Sequence, residues 1–449
     1  MKYRNWRTRL QKTLHRPSPF FLLLLLAYIF VFTALYFMEP RPVILRVGVF
    51  AGSNWDVPEG NSYAYLDDVI GKFEAEHPNV KVVYQSGIRK KDYSEWLAGH
   101  ALSGDIPDVF LIPQEDFDLY ADRDALVALD DMAAKDADFQ LTDFYPAPLA
   151  FGRSDTAKTL YALPVECVPR LMFVNRTLLE REGIPMPKDD WTWDDFFAIC
   201  QKVTRDRDGD GRLDQFGVYG YTWQDAAATC GQKLFREDGK ASYFADPRVE
   251  RAIRFTISLY HLQQGQAVQE RDFDLGHVAF RPFNFATYRT YQPYPWRIKK
   301  ATDFEWDCIR LPRGPEGENT SPIQTLLMGI STQTKQRQLA WELLKAICYD
   351  EENQQKLLRY SAALPVRRGI IENTSNADLL GSANKKERGR SPLAVSRVIE
   401  DGSLPYRFPQ YHDALLLADR EIQELLNGSI SEVNAMNRLQ KDVNDLLLK

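Results

Sequence analysis

The sequence predicts an α/β fold of two lobes behind a single membrane-spanning helix, and three observations predict it. Short apolar strands alternate with amphipathic helices from Leu45 onward, the pattern of βαβ units around a covered parallel sheet. The chain has 449 residues, and the portion after Glu39 exceeds what one hydrophobic core ordinarily holds. Finally, Phe20 to Met38 contains no charged residue and follows a basic start.

That start carries Lys2, Arg4, Arg7, Arg9, Lys12 and Arg16 and no acid. At about 1.5 Å per residue the apolar run spans roughly 28 Å, close to the hydrocarbon core of a bilayer. A cleaved signal peptide has a shorter core and ends in small residues. Here the exit reads FTALYFMEP, bulky at nearly every step, and no Cys occurs before Cys167 to carry a lipid. The expected organisation is a cytoplasmic leader at 1–19, an uncleaved anchor at 20–38, and the remainder outside the cell membrane. A cleaved signal or a buried helix is the alternative.

The formal charge of −6 includes the six positive charges of the leader, which leaves −12 for the exported part. That balance excludes nucleic acid and anionic lipid surfaces as its partners. The five cysteines (167, 200, 230, 308 and 348) show neither metal nor disulfide spacing. Cys200 and Cys348 end apolar helical patterns, and all five read as buried thiols.

Leu45–Phe50 reads as a buried first strand, and 64–76 as an amphipathic helix stopped at His77–Pro78. Strands follow at 80–84 and 109–112, with a helix near 93–101 between them. TLYALP leads into 165–175, which has little helix signal and a central Glu166. Helices are expected at 193–203, 247–263, 338–349 and, in a 3.6-residue period, across 411–448. The least ordered stretch is expected at 375–390, which lacks aromatics and is dense in charge.

Residues 206–217 read DRDGDGRLDQFG. Asp206, Asp208, Asp210 and Asp214 fall at positions 1, 3, 5 and 9 of a calcium-loop pattern, with Gly211 at position 6. Carboxylates this close repel one another unless a cation neutralises them. Position 12 is Gly217 where a bidentate Glu normally closes the shell, so the Arg212 carbonyl, Gln215 or water is expected to complete it. The expectation is a structural Ca2+; the alternative is a solvated acidic turn.

The chain resembles the bacterial extracellular solute-binding proteins of family 1, the sugar-binding receptors of ABC importers. The matching pieces run in order: RVGVF, FEAEHPNVKVVYQ, LSGDIPDVFLI, TLYALPVE, FVNRTLLEREGIPMPKDDWTWDDFF, GHVAF, WDCIRLPRGPEG and LMGISTQTKQRQLAWELLKAICYD, then ALPVR. The resemblance implies a periplasmic-binding-protein-like fold closing over its ligand about a hinge. The lobes would comprise 39–164 with 313–362, and 165–312 with 363–449, with crossings near 163–166, 306–312 and 362–366. The implied function is a membrane-tethered receptor for a carbohydrate, expected to be an oligosaccharide, delivering it to ABC permease subunits. Most Gram-positive relatives use a lipidated Cys as tether; here the helix would replace it.

A sugar presents polar edges and apolar C–H faces, so its site needs aromatic planes with carboxylates, amides or Arg. Ligands of open sheets collect at the carboxyl ends of strands. Asn54 and Trp55 follow the first strand, Glu115 and Asp116 the third, and Glu166 sits at a crossing. Trp223 follows the acidic loop. The resemblance points to Arg281, Phe283, Asn284 and Tyr288 after GHVAF, and Met328 and Gly329 precede a helix after a crossing. Trp55 and Trp223 read equally well as core. Trp191 and Trp193 read as packing at a helix start, and Asp108 as a turn carboxylate. The tyrosines at 288, 291 and 294 suggest a ferric site less well than a cleft wall, given the interleaved prolines. An extracytoplasmic hydrolase using Glu115 and Glu166 is a competing class, but no nucleophile motif or His cluster supports it. A sensor reporting to a membrane partner is a third, hinted at only by the helical tether.

Overall fold

The computed structural model describes residues 23–29, 42–55, 63–154, 158–290, 304–376, 392–426 and 432–449. Residues 23–29 are helical and exposed, and the rest of the apolar run lies outside the described residues. Among the described residues no helix is long and apolar enough to cross a membrane. Most of 375–390 also lies outside them.

The chain opens with β1 (Val43–Gly48), the helix Ala64–Glu76, β2 (Val80–Tyr84), the helix Lys90–Ser103 and β3 (Val109–Ile112). β1 pairs parallel with β2 on one side and with β3 on the other. Leu66, Val69, Ile70 and Phe73 give the first helix its buried face, and Pro78, which cannot continue a helix, follows its cap.

β4 (Ala162–Asn175) is a fourteen-residue strand buried along nearly its whole length. β5 (Phe216–Val218), β6 (Val278–Asn284), β7 (Trp306–Ile309), β8 (Ser321–Ile330), β9 (Leu364–Pro365) and β10 (Gly402–Ser403) complete the set. The main sheet runs β2-β1-β3-β8-β4-β6-β5. β4 holds it together: residues 162–169 pair antiparallel with β8, and residues 170–174 pair antiparallel with β6. The strand therefore starts in the first lobe and ends in the second.

Two buried clusters follow. One gathers Leu45, Val69, Phe110, Trp341 and Ile347 of the first lobe and runs on to Phe273, Val278 and Phe283 of the second. The other gathers Phe196, Ile253, Ala418, Leu439 and Val443 in the second. Alternate residues of β4 serve both, Leu171 and Phe173 in the first cluster and Met172 and Val174 in the other, as the two-residue period of a strand requires.

The return to the first lobe differs from expectation. WDCI at 306–309 is β7, paired with the second-lobe half of β4, and Trp306 lies 5.0 Å from the Phe173 ring. The crossing is carried later, by β8, whose Leu327–Ile330 pairs with β3. β9 lies against Glu166 and Cys167 of β4. None of the five cysteines forms a disulfide; four are buried and Cys308 partly so.

Candidate functional site

The chain bulges between Pro164 and Glu166, where β4 leaves the first lobe. Glu166 is 7% exposed there. A carboxylate so placed is costly unless hydrogen-bonded. The Trp55 indole N–H donates to its Oε1 at 2.7 Å, and the Ser361 hydroxyl donates to Oε2. Three separate segments thus converge on one carboxylate: the loop after β1, the crossing strand, and the residue that caps the helix Glu351–Tyr360.

Beside it lies a solvent-open pocket lined by Asn54, Tyr63, Tyr65, Glu166, Met328 and Tyr360 among others. Among the described residues its wall carries no basic side chain and a single acid. The Asn54 carbonyl accepts from Lys90 Nζ at 2.6 Å. The Tyr65 hydroxyl donates to the Ile347 carbonyl at 2.5 Å, and burial holds that phenol well above its usual range. Met328 sits opposite Leu111 of β3 and Leu163 of β4.

The other proposed site residues are placed differently. Gly329 is a packing position: a Cβ there would meet Leu126 Cδ2 at 2.8 Å and Ile112 Cδ1 at 2.9 Å. Glu115 is exposed on the turn Gln114–Asp116. The neighbouring Asp116 has one buried oxygen without a hydrogen-bond partner. Burial, with Glu115 adding to it, pushes its carboxyl up. Neither lines the pocket.

Trp223 is a core residue. It is 3% exposed, lies 5.7 Å from the Phe244 ring, and donates its N–H to Asp419 at 2.6 Å. Its ring belongs to the second-lobe core and has no open face for a sugar. Phe283 is likewise covered, stacked on Phe173 with centroids 3.7 Å apart. Arg281 lies 4.7 Å over the Phe283 ring and pairs with Glu270 at 3.2 Å. Asn284 caps the helix Phe285–Thr290, its Oδ1 accepting from Thr287 N and Oγ1 at 2.8 Å. Tyr288 falls on that helix, its side chain outside the described residues. The structure therefore brings together Asn54, Trp55, Glu166 and Met328, and leaves the second-lobe candidates apart from them.

Sequence reasoning missed Arg170. It stands on β4 opposite Asn284, and its guanidinium grips the buried Asp225 through Nε and, at 2.9 Å, through Nη2. Asp225 also closes a capping box with Thr222 at the start of the helix Trp223–Ala228. The available signal was a lone charge inside the apolar run VPRLMFVN, which demands a partner. Ser361 was missed as well, having no pattern of its own.

In the acidic loop, Asp206, Asp208 and Asp210 each offer a carboxylate oxygen within 4.8 Å of the others. The Gly209 and Gly211 N–H groups donate to the two oxygens of Asp206 at 2.7 and 2.8 Å, and these bonds hold its carboxyl below the usual range. Asp214 Oδ1 accepts from Arg207 N at 3.2 Å. This oxygen-only donor set fits a hard cation such as Ca2+. Gln215 does not belong to it. Its side chain is 1% exposed, accepts from Arg181 at 2.5 Å and donates to the Val203 carbonyl at 2.8 Å. The absence of a Glu at position 12 has a steric reason, since a Cβ on Gly217 would lie 2.5 Å from Cys200 Cβ.

Two α/β lobes joined by strands that pass from one to the other, with a pocket beside the crossing, define a periplasmic-binding-protein-like fold. The chain belongs to the bacterial extracellular solute-binding protein family, whose model matches residues 58–354. An uncharacterised lipoprotein from the oleD 5′ region of Streptomyces antibioticus is 26% identical over 325 residues, 65% of this chain. The match spans 62% of that relative's length. The sugar-binding protein MalE of Xanthomonas citri shares the fold with a TM-score of 0.72 at 18% identity, over 90% of this chain and 98% of its own. An ABC substrate-binding protein of Listeria monocytogenes, solved with cycloalternan, gives 0.66 at 19% identity over the same shares.

Proposed function

We propose that the chain captures a carbohydrate, and specifically an oligosaccharide, outside the cytoplasm and hands it to the permease subunits of an ABC importer. The observation that carries this reading is the oriented Glu166 carboxylate on the crossing strand, beside a tyrosine-rich pocket of the first lobe. Carboxylate and amide meet sugar hydroxyls, and tyrosine rings meet C–H faces. The Listeria and Xanthomonas neighbours, a cycloalternan complex and a sugar-binding protein, support the same ligand class.

The apolar run 20–38 serves as a single-pass tether with the leader inside, since the sequence offers no Cys before Cys167 for lipid attachment. The acidic loop holds a structural Ca2+ through Asp206, Asp208, Asp210 and Asp214 with the Arg212 carbonyl, and has no part in ligand chemistry.

Titration calorimetry against a panel of neutral oligosaccharides, with product analysis of the same samples, tests the assignment. Saturable binding with the sugar recovered intact is expected. Shortened products would make the protein a hydrolase, and no heat with any member would remove the carbohydrate.

A further inference from the structure

Residues 402–411 read GSLPYRFPQY and run from the crossing strands over the second lobe. The segment is anchored at its start, where β10 pairs parallel with Ser321 and Pro322 of β8 and Asp401 accepts from Arg310 at 2.8 Å. Beyond that it faces two ways. Tyr406, Phe408 and Tyr411 gather on the Phe235 ring with centroids 5.2, 5.2 and 5.8 Å away, and all three pack against the second-lobe cluster.

Arg407, between Tyr406 and Phe408, points into the first lobe. Its guanidinium lies 4.9 Å from both the Phe117 and the Phe151 ring centroids. One nitrogen donates to the Phe151 carbonyl at 2.7 Å and another to the Arg153 carbonyl at 2.9 Å. Asp118 stands 3.8 Å from Nε, and the arginine side chain is only 6% exposed. The acceptors exist because the helix Pro146–Phe151 ends in a tight turn at Gly152, where a Cβ would lie 2.0 Å from the Ala162 carbonyl. Carbonyls at a helix end favour a cation. A planar, delocalised guanidinium is the side chain that can stack between two rings while forking to two oxygens.

We infer that Arg407 is a non-covalent tie between the lobes, setting their separation before any ligand arrives. β4, β8 and the segment 401–406 that leads into Arg407 join the lobes covalently; the Arg407 contacts add a non-covalent connection that can break. Relative movement of the lobes must withdraw a charged group from two rings and two carbonyls, so the tie biases which lobe arrangement is populated. A ligand that favours another arrangement binds more weakly by the fraction of molecules in which the tie is released. The inference rests on the two-lobed fold alone and holds whatever the solute is.

The test uses the ligand-free full chain with fluorophores introduced site-specifically at Leu102 and Leu448, which are 91% and 71% exposed on different lobes. Single-molecule energy transfer then reports lobe separation. Arg407→Gln, which keeps most of the stem and loses the charged fork, should shift or broaden the distribution. Arg407→Lys, which retains charge but cannot fork between the carbonyls, should fall between it and the parent. A distribution identical to the parent in both variants overturns the tie. If the Gln variant fails to fold, the milder Lys variant decides alone. Failure of the carbohydrate assignment would leave this result untouched.

Discussion

At the scale of single residues, Glu166 is the position on which three segments agree. One oxygen accepts from Trp55 and the other from Ser361, so an apolar group in place of either donor removes a hydrogen bond from a buried carboxylate. Trp55→Phe should therefore lower unfolding stability by about 1.5–3 kcal/mol, the usual worth of a hydrogen bond to a charged group. Denaturant titration measures this, and calorimetry should show weakened sugar binding in the same variant. An unchanged midpoint would mean that Trp55 acts as packing only. The sequence pointed to Glu166 for a sound reason, a charge between apolar residues in an extended stretch. It left Trp55 undecided between core and ligand platform because both roles want the same ring; the structure gives it a third role, as donor.

At the scale of elements, the joint between β4 and the helix Trp223–Ala228 is ionic. Asp225 is 2% exposed and Arg170 about a third exposed. Asp225→Asn should cost about 2 kcal/mol in chemical denaturation, below the roughly 3–5 kcal/mol of a fully buried broken pair because solvent reaches the arginine. No loss would show that the capping box alone holds the joint. The acidic loop makes a second prediction. With calcium bound at a Kd of roughly 10⁻⁴–10⁻³ M, melting temperature should rise on adding calcium and stay fixed with magnesium. Tenfold excess over Kd contributes about 1.4 kcal/mol. Asp208→Ala with Asp210→Ala should abolish the rise, and a double mutant that responds like the parent would leave an acidic turn only.

Much at this scale was legible. The helices Ala64–Glu76 and Trp193–Val203 and the strands β2 and β3 stand where periodicity and proline punctuation put them. The register of β7 was not legible, since WDCI is too short and too evenly half-buried to say which partner it takes. The aromatic candidates went astray for a related reason. Trp223 follows β5 and Phe283 lies within β6, but which side of a sheet a ring faces depends on pairing, and pairing is not written in the local sequence. Gln215 looked like a ligand by spacing, and only the Arg181 and Val203 contacts show its amide already committed.

At the scale of the whole molecule, β4 and β8 pass between the two lobes, and the apolar run 20–38 is the proposed tether. The full chain should stay with membranes through a high-salt wash and keep its basic N-terminus; a chain beginning near Glu39 and free in the medium would remove the anchor. The central claim is that a carbohydrate binds at the lobe junction and changes how the lobes sit. Small-angle scattering across a titration with an oligosaccharide that calorimetry shows to bind tests it most directly. The radius of gyration should fall and saturate at the calorimetric stoichiometry, and Glu166→Gln should weaken both in parallel. A radius unchanged at saturation, with binding intact in the Glu166→Gln variant, would contradict it.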